Sequence, residues 1–146
     1  MIEFRPVTSP EDRRWLRWLD AECFPTDHPL RLEDALEWML AWQGDEPVAF
    51  CGWRKHGLSW GFHVRAGVIA KAQGQGLQGE MLTLRERAMK AAGTHVAVTY
   101  TETYSAASMN SLIRAGYRVF EGTPDTRLVI NPAYWNTMVY WRKALP

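Results

Sequence analysis

Apolar and polar positions alternate along Ile2-Glu3-Phe4-Arg5-Pro6-Val7, the period of a half-buried strand. The pattern then changes to a helical one. Ser9 is placed to cap, Pro10 suits the first helical position, and Glu11 and Asp12 face the positive helix end. This helix is expected to run to about Glu22 with Trp15, Leu16 and Leu19 inward. Phe24 to Pro29 breaks it, with prolines on both sides of Asp27 and His28 stiffening the loop. Leu30 to Glu37 reads as a short second helix. Trp38 to Trp42 fits either period; the turn residues Gln43 to Glu46 and the clear strand Pro47 to Trp53 favour a strand. Lys55-His56-Gly57 makes another turn before a longer strand, Leu58 to Val68. Together these strands read as an antiparallel meander.

The next stretch, residues 66–92, organises the chain. An apolar strand end, Ala66 to Ala70, runs into Gln73-Gly74-Gln75-Gly76-Leu77-Gln78-Gly79, which opens into an amphipathic helix. Leu77, Met81, Leu84, Ala88 and Ala91 recur in steps of four and three and define its inner face. Gln78, Thr83, Arg85, Glu86, Arg87 and Lys90 fall outside, with Glu86 four residues ahead of Lys90. Gly93 is a plausible stop. His95 to Thr101 is a strand, so a right-handed crossover and a parallel pair are expected here. Ser105 to Ala115 is a further helix, with Ser105 as cap and Gly116 as stop. Tyr117 to Phe120 is a strand, Gly122 to Asp125 a turn, and Thr137 to Trp141 a last strand.

Composition narrows the class. A chain of 146 residues with 47% hydrophobic and 23% charged residues is expected to fold as one soluble domain, residues 1–146. A net charge of +1 supplies no global field toward nucleic acid or an anionic membrane, and neither partner is expected. Cys23 and Cys51 lie in apolar surroundings without metal or redox spacing. They read as buried, reduced thiols of a cytoplasmic protein in preference to a disulfide, and no metal site is expected. No apolar run approaches the ~20 residues of a membrane span. Eight tryptophans, near Trp15–Trp60 and Trp135–Trp141, fill a core or line a groove.

A strand, a glycine turn and a helix start in that order form an anion site, because the first backbone N–H groups of a helix lack internal acceptors and glycine lets a phosphate approach them. Three uses of the turn compete. Gly74-x-Gly76-x-x-Gly79 matches the dinucleotide fingerprint, with Glu102 where a ribose-binding acid would stand, as in a fragment of a dinucleotide-binding oxidoreductase. Against it, the fingerprint lies mid-chain, Lys71-Ala72-Gln73 separates it from the strand, and no second mononucleotide half follows. A GxxxxGK[ST] loop is absent. A turn without a ligand is the second use, and it leaves so much glycine unexplained.

The third use comes from likeness. Val68-Ile69-Ala70-x-x-Gln73-Gly74-Gln75-Gly76-Leu77-Gln78 resembles the coenzyme A motif of the GCN5-related N-acetyltransferases (GNAT), Gln/Arg-x-x-Gly-x-Gly/Ala, with Gln78 departing from the usual last residue. Ser105 to Tyr117 resembles the family's later helix ending in Gly-Phe/Tyr, and the element order matches over nearly the whole chain. Gly76-Leu77-Gln78 together with Tyr140-Trp141-Arg142-Lys143 is similar to members found in phage and prophage genomes. The resemblance implies an α+β (α/β three-layer) fold. Its mostly antiparallel mixed sheet would have six to seven strands and about four helices, with one parallel pair splayed to hold the coenzyme.

The same resemblance implies acetyl-coenzyme A as co-substrate and direct attack by a primary amine of a small molecule or peptide, in a monomer or homodimer. Val68, Ile69 and Ala70 would pair with the pantetheine arm, and Gln73, Gly74, Gln75, Gly76, Leu77, Gln78 and Gly79 would hold the pyrophosphate. Ser105, Ser108 and Asn110 are candidates for the coenzyme arm. The position of the family's frequent basic glutamate holds Phe62, so His63 or Glu102 is the candidate base. Leu112 holds the usual tyrosine's place, which leaves the acid to Tyr104, Tyr117, Ser108 or water. Phe24, Asp27 and His28 lie in what resembles the acceptor loop. A member that binds coenzyme A or a protein without catalysis is the alternative.

Overall fold

The computed structural model describes residues 1–102, 105–121 and 138–146. The expected turn at Gly122 to Asp125, together with Tyr104, Trp135 and Thr137, lies outside the described residues. Seven strands form one sheet: β1 (Ile2–Pro6), β2 (Glu37–Gln43), β3 (Glu46–His56), β4 (Trp60–Val68), β5 (Val96–Glu102), β6 (Arg118–Phe120) and β7 (Met138–Ala144). Their order is β1-β2-β3-β4-β5-β7-β6. The α-helices described are α1 (Pro10–Cys23), α2 (Leu77–Ala91) and α3 (Ala106–Arg114). The sheet is mixed, with one parallel pair, β4 with β5, as the sequence leads one to expect.

The chain forms two compact units. The first comprises residues 1–54 and 63–85. In it β2 alternates: Trp38 and Leu40 pack toward α1 with Leu16, Leu19 and Phe50, while Ala41 packs toward the start of α2 with Cys51, Val68, Leu77 and Met81. Between Ala41 and Trp42 the register to β3 shifts, so Val48 is an extra residue and joins Ala49 on one face, as a bulge requires. α1 starts as the sequence predicts. The Ser9 hydroxyl accepts the Asp12 N–H at 3.0 Å, and the Asp12 carboxylate accepts the N–H groups of Thr8 and Ser9 at 3.0 and 3.2 Å.

These bonds, the Thr8 N–H first, hold the Asp12 carboxyl below its ordinary value of 3.8. A depressed carboxyl stabilises the fold above its unfolded pKa, and that stability is lost as pH falls through the lower folded value. Asp12→Ala is therefore expected to cost about 1 kcal/mol at pH 7. In paired urea titrations the difference from the parent should shrink once pH drops below about 4.

Two expectations need correction. Leu30 to Glu37 is not a helix but a single 3₁₀ turn, Leu32–Asp34. The Leu36 N–H donates to Trp53 O at 2.8 Å and Glu37 already belongs to β2, so the sheet takes the residues a helix would need. The inner face of α2 is also rotated. Arg85 and Glu86 are buried, at 4% and 9% exposure, whereas Ala91 is exposed. Arg85 donates to Met81 O at 3.1 Å and Gly52 O at 3.4 Å, acceptors within the first unit that no helical periodicity reveals.

The second unit comprises residues 55–62 and 86–146. Here Glu86 accepts the Tyr117 hydroxyl at 2.8 Å and the Lys143 ammonium at 2.9 Å, so its partner is Lys143 rather than Lys90. β5 pairs with β7 along its whole length, Val96↔Ala144 to Glu102↔Met138. Gly61 admits α2 closely; a β-carbon there would stand 2.5 Å from Met89 Sδ. The parallel pairing of β4 with β5 covers only Trp60 to Phe62, although β4 runs on to Val68.

Candidate functional site

β4 leads into the site. Along it, Val64 packs against the α1-side cluster, and Arg65 also turns to α1, where it meets Asp20. Ala66 and Val68 pack on the α2 side, and between them a β-carbon on Gly67 would strike Phe50 and Cys23. Two successive side chains on one face interrupt the strand's two-residue alternation, the behaviour of a β-bulge.

After β4 a 3₁₀ turn, Ala70–Ala72, carries the chain to the glycine segment. Ala72 (0% exposed) and Leu77 (3%) are sunk in the core and pin both ends of the segment, while Gln73 to Gly76 lie exposed between them. Gly74 and Gly76 have φ of +81° and +78°, a region that carries a steric cost for any residue with a β-carbon. Chain neighbours aside, nothing among the described residues lies within 4 Å of where β-carbons on Gly74, Gly76 and Gly79 would be, so the surface above the turn is open on that side. The first helical bond is Glu80 N–H to Gly76 O at 3.1 Å. Among the described residues, none of the six N–H groups from Gly74 to Gly79 donates to a protein acceptor. These donors and the positive end of α2 give one open surface of partial positive charge.

Each predicted residue other than Tyr104, which lies outside the described residues, has a definite place. Gln73 turns its side chain back and donates to Val68 O at 3.2 Å, bracing the turn against β4. Ile69 spends its N–H on Val48 O at 3.0 Å, and the carbonyls of Ile69 and Ala70 accept from Ala72 and Gln73. The Ala70 N–H has no protein acceptor among the described residues, so an added strand would find that donor. Gln75 and Gln78 are exposed. Phe24 caps α1 and is half-buried, whereas Asp27 and His28 are exposed. All of these belong to the first unit, as does His63, buried on β4 at 2% exposure.

In the second unit Glu102 ends β5 half-buried, and its carbonyl accepts the Ser105 N–H at 3.1 Å. Ser105 precedes α3 but makes no side-chain cap, contrary to expectation, because its φ of −87° and ψ of 68° are not the extended geometry of a capping serine. Ser108 and Asn110 are exposed on α3. Leu112 is core, at 6% exposure, and Phe62 stacks on Tyr100 with ring centroids 5.9 Å apart. Tyr117 is buried and gives its hydroxyl to Glu86, which commits it to the fold.

Sequence reasoning missed Asp20 and Arg65. Asp20 is 4% exposed and Arg65 Nη1 lies 2.6 Å from its Oδ1. The available signal was a charge beside Leu19 on the apolar face of α1 and an opposite charge within apolar β4. Cys23, beside this pair, has its thiol pushed up to about 11 by burial and then by the charges of Asp20 and Glu22, which leaves it a poor nucleophile. No group of three metal-ligating side chains occurs among the described residues, and no helix described is long and apolar enough to cross a membrane.

No family model and no curated protein matches the chain. Its backbone, however, is shared by solved acetyltransferase structures. An acetyltransferase of Bacillus subtilis in complex with coenzyme A aligns over 100% of both chains at 17% identity and a TM-score of 0.77. The ribosomal-protein-S18-alanine N-acetyltransferase of Escherichia coli aligns over 99% of this chain and 94% of its own, at 12% identity and 0.74. The GNAT domain of S. lividans PAT aligns over 99% of this chain and 90% of its own, at 14% identity and 0.75. The chain has the fold of the GNAT acetyltransferases; at these identities the likeness establishes the fold.

Proposed function

We propose that residues 1–146 form a single acyl-coenzyme A-dependent N-acetyltransferase domain of the GNAT family, moving an acetyl group to a primary amine. The observation that carries this is the run of six N–H groups at Gly74 to Gly79 without acceptors among the described residues, exposed at the start of α2 in a GNAT fold. Their number and their place at the start of α2 suit a pyrophosphate. The Ala70 N–H suits one backbone-like contact to the pantetheine arm, and exposed Ser108 and Asn110 suit its surroundings. The coenzyme supplies an acetyl thioester. The chain's own work is positioning, polarising the acyl oxygen, and moving two protons.

Glu102 is the better proton acceptor of the two candidates described, because its half-exposed strand-end position lets the proton leave to water, whereas His63 is enclosed. Tyr104, two residues on, is retained as the donor to the thiolate. Phe24, Asp27 and His28 border the amine, and Asp27 supplies a negative charge for a cationic one. The acceptor is a small molecule or a peptide, and the Tyr140–Lys143 string supports a phage or prophage type. A cytoplasmic location agrees with two unpaired thiols.

A second reading, coenzyme A binding without transfer, is favoured by buried Leu112 and Phe62 in the places of the usual acid and base. Release of free thiol from acetyl-coenzyme A separates them. Across a panel of polyamines, amino acids, aminoglycosides and peptides with free N-termini, at least one amine should turn over and lose turnover with Glu102→Gln. Binding of acetyl-coenzyme A with no turnover on any member would favour the second reading.

A further inference from the structure

The loop between α1 and β2 is tied down from one point. Arg65 Nη1 donates to Asp20 Oδ1 at 2.6 Å and to the His28 carbonyl at 3.1 Å. Asp20 uses its other oxygen, Oδ2, to accept the Leu30 N–H at 3.0 Å. The guanidinium carbon sits 5.0 Å from the centre of the Phe24 ring, which in turn meets Phe50 edge-on at 6.3 Å. One buried carboxylate and one guanidinium thus hold the start, middle and end of Phe24 to Leu30. The segment itself offers little else: Pro25, Thr26, Asp27, His28 and Pro29 are all exposed, and its one internal backbone bond, Asp27 N–H to Phe24 O, is 3.3 Å long.

We infer that Arg65 and Asp20 form a latch that sets the conformation of the Phe24–Leu30 loop and so governs amine recognition. The second half rests on the transferase reading above. The placement of Arg65 is what gives the latch its reach. It sits three residues before Val68, on the strand that leads into the glycine turn, with its guanidinium reaching Asp20 of α1. The loop is therefore fixed relative to β4, and removing the latch frees the loop while leaving Gly74 to Gly79 untouched. Asp20 is 4% exposed, so its pairing is not the weak, screened kind found at surfaces. Both acceptors hang on one nitrogen, Nη1, while the guanidinium carbon lies over the Phe24 ring; a lysine ammonium could donate to both acceptors but lacks the planar group that stacks on the ring.

Amide hydrogen exchange on the whole chain tests the latch without needing an amine. Arg65→Met should speed exchange of Leu30 and its loop neighbours at least ten-fold, with exchange in α2 unchanged. Arg65→Lys should recover part of the protection, and Asp20→Asn, nearly isosteric, should match Arg65→Met if the latter folds poorly. Acetyl-coenzyme A should bind all three within two-fold of the parent. For the panel amine that turns over fastest, KM should rise at least ten-fold in Arg65→Met, with KM for acetyl-coenzyme A within two-fold. Unchanged loop exchange in both Arg65→Met and Asp20→Asn overturns the latch. A freed loop with unaltered amine KM overturns its role in recognition. A parent that binds no acetyl-coenzyme A overturns the transferase reading while leaving the exchange result to decide the latch.

Discussion

Gly76→Asp is expected to weaken acetyl-coenzyme A binding roughly a hundred-fold while leaving the protein folded. Chain neighbours aside, a β-carbon at Gly76 meets nothing within 4 Å among the described residues, so it clashes with none of them. Its folding cost is the positive φ of +78°, about 1–2 kcal/mol for an ordinary residue and less for aspartate, which tolerates this region. The effect on binding is larger. The new carboxylate stands among the N–H groups that would otherwise hold a pyrophosphate, competing for those donors and repelling the ligand. A loss of about 3 kcal/mol, or roughly a hundred-fold in Kd, is expected by calorimetry. Gly76→Ala carries the φ cost without the charge and should lose clearly less. Equal losses in the two variants would mean that backbone shape, not charge, decides binding.

Gly67→Ala acts in the opposite sense, on the fold first. Its β-carbon would stand 2.8 Å from Phe50 Cε1 and 2.9 Å from both Cβ and Sγ of Cys23. Phe50 is fully buried and cannot swing away, so β4 or the end of α1 must shift. Overpacking of this kind costs about 1–3 kcal/mol, which at about 2–4 °C per kcal/mol for a chain of this length lowers Tm by about 2–12 °C. Cys23→Ala removes the sulfur but not the β-carbon, so combining the two should recover part of the loss, measured as a coupling in a double-mutant cycle. An unchanged Tm in Gly67→Ala would show that α1 and β4 pack less closely than described.

Local rules recovered most of the fold from the amino-acid order. Ser9, Pro10 and Asp12 announce α1 because a cap is built from residues three apart. Gly74 and Gly76 announce the turn because only the chain's own backbone decides a positive φ. The failures share another cause: the deciding partner is far away in sequence. Arg85 and Glu86 read as outward on α2, yet Gly52 O, Tyr117 and Lys143 draw them in from 31 to 57 residues away. Leu36 reads as helical until Trp53 O takes its N–H. Asp20 and Arg65, 45 residues apart, are invisible as a pair for the same reason. The proposed coenzyme site rests on one local stretch, Gln73 to Gly79, and is legible. The residues proposed for the amine, Phe24, Asp27 and His28 together with Glu102, come from stretches far apart in sequence, and that is why the motif points to the coenzyme and leaves the amine unnamed.

The central claim, that the Gln73–Gly79 turn is a coenzyme A site, meets its most direct test in a calorimetric titration of the intact chain with acetyl-coenzyme A. Saturable binding of one equivalent, weakened by competing coenzyme A and weakened roughly a hundred-fold in Gly76→Asp, is the predicted result. No heat of binding up to millimolar acetyl-coenzyme A, or binding that Gly76→Asp leaves intact, would contradict it.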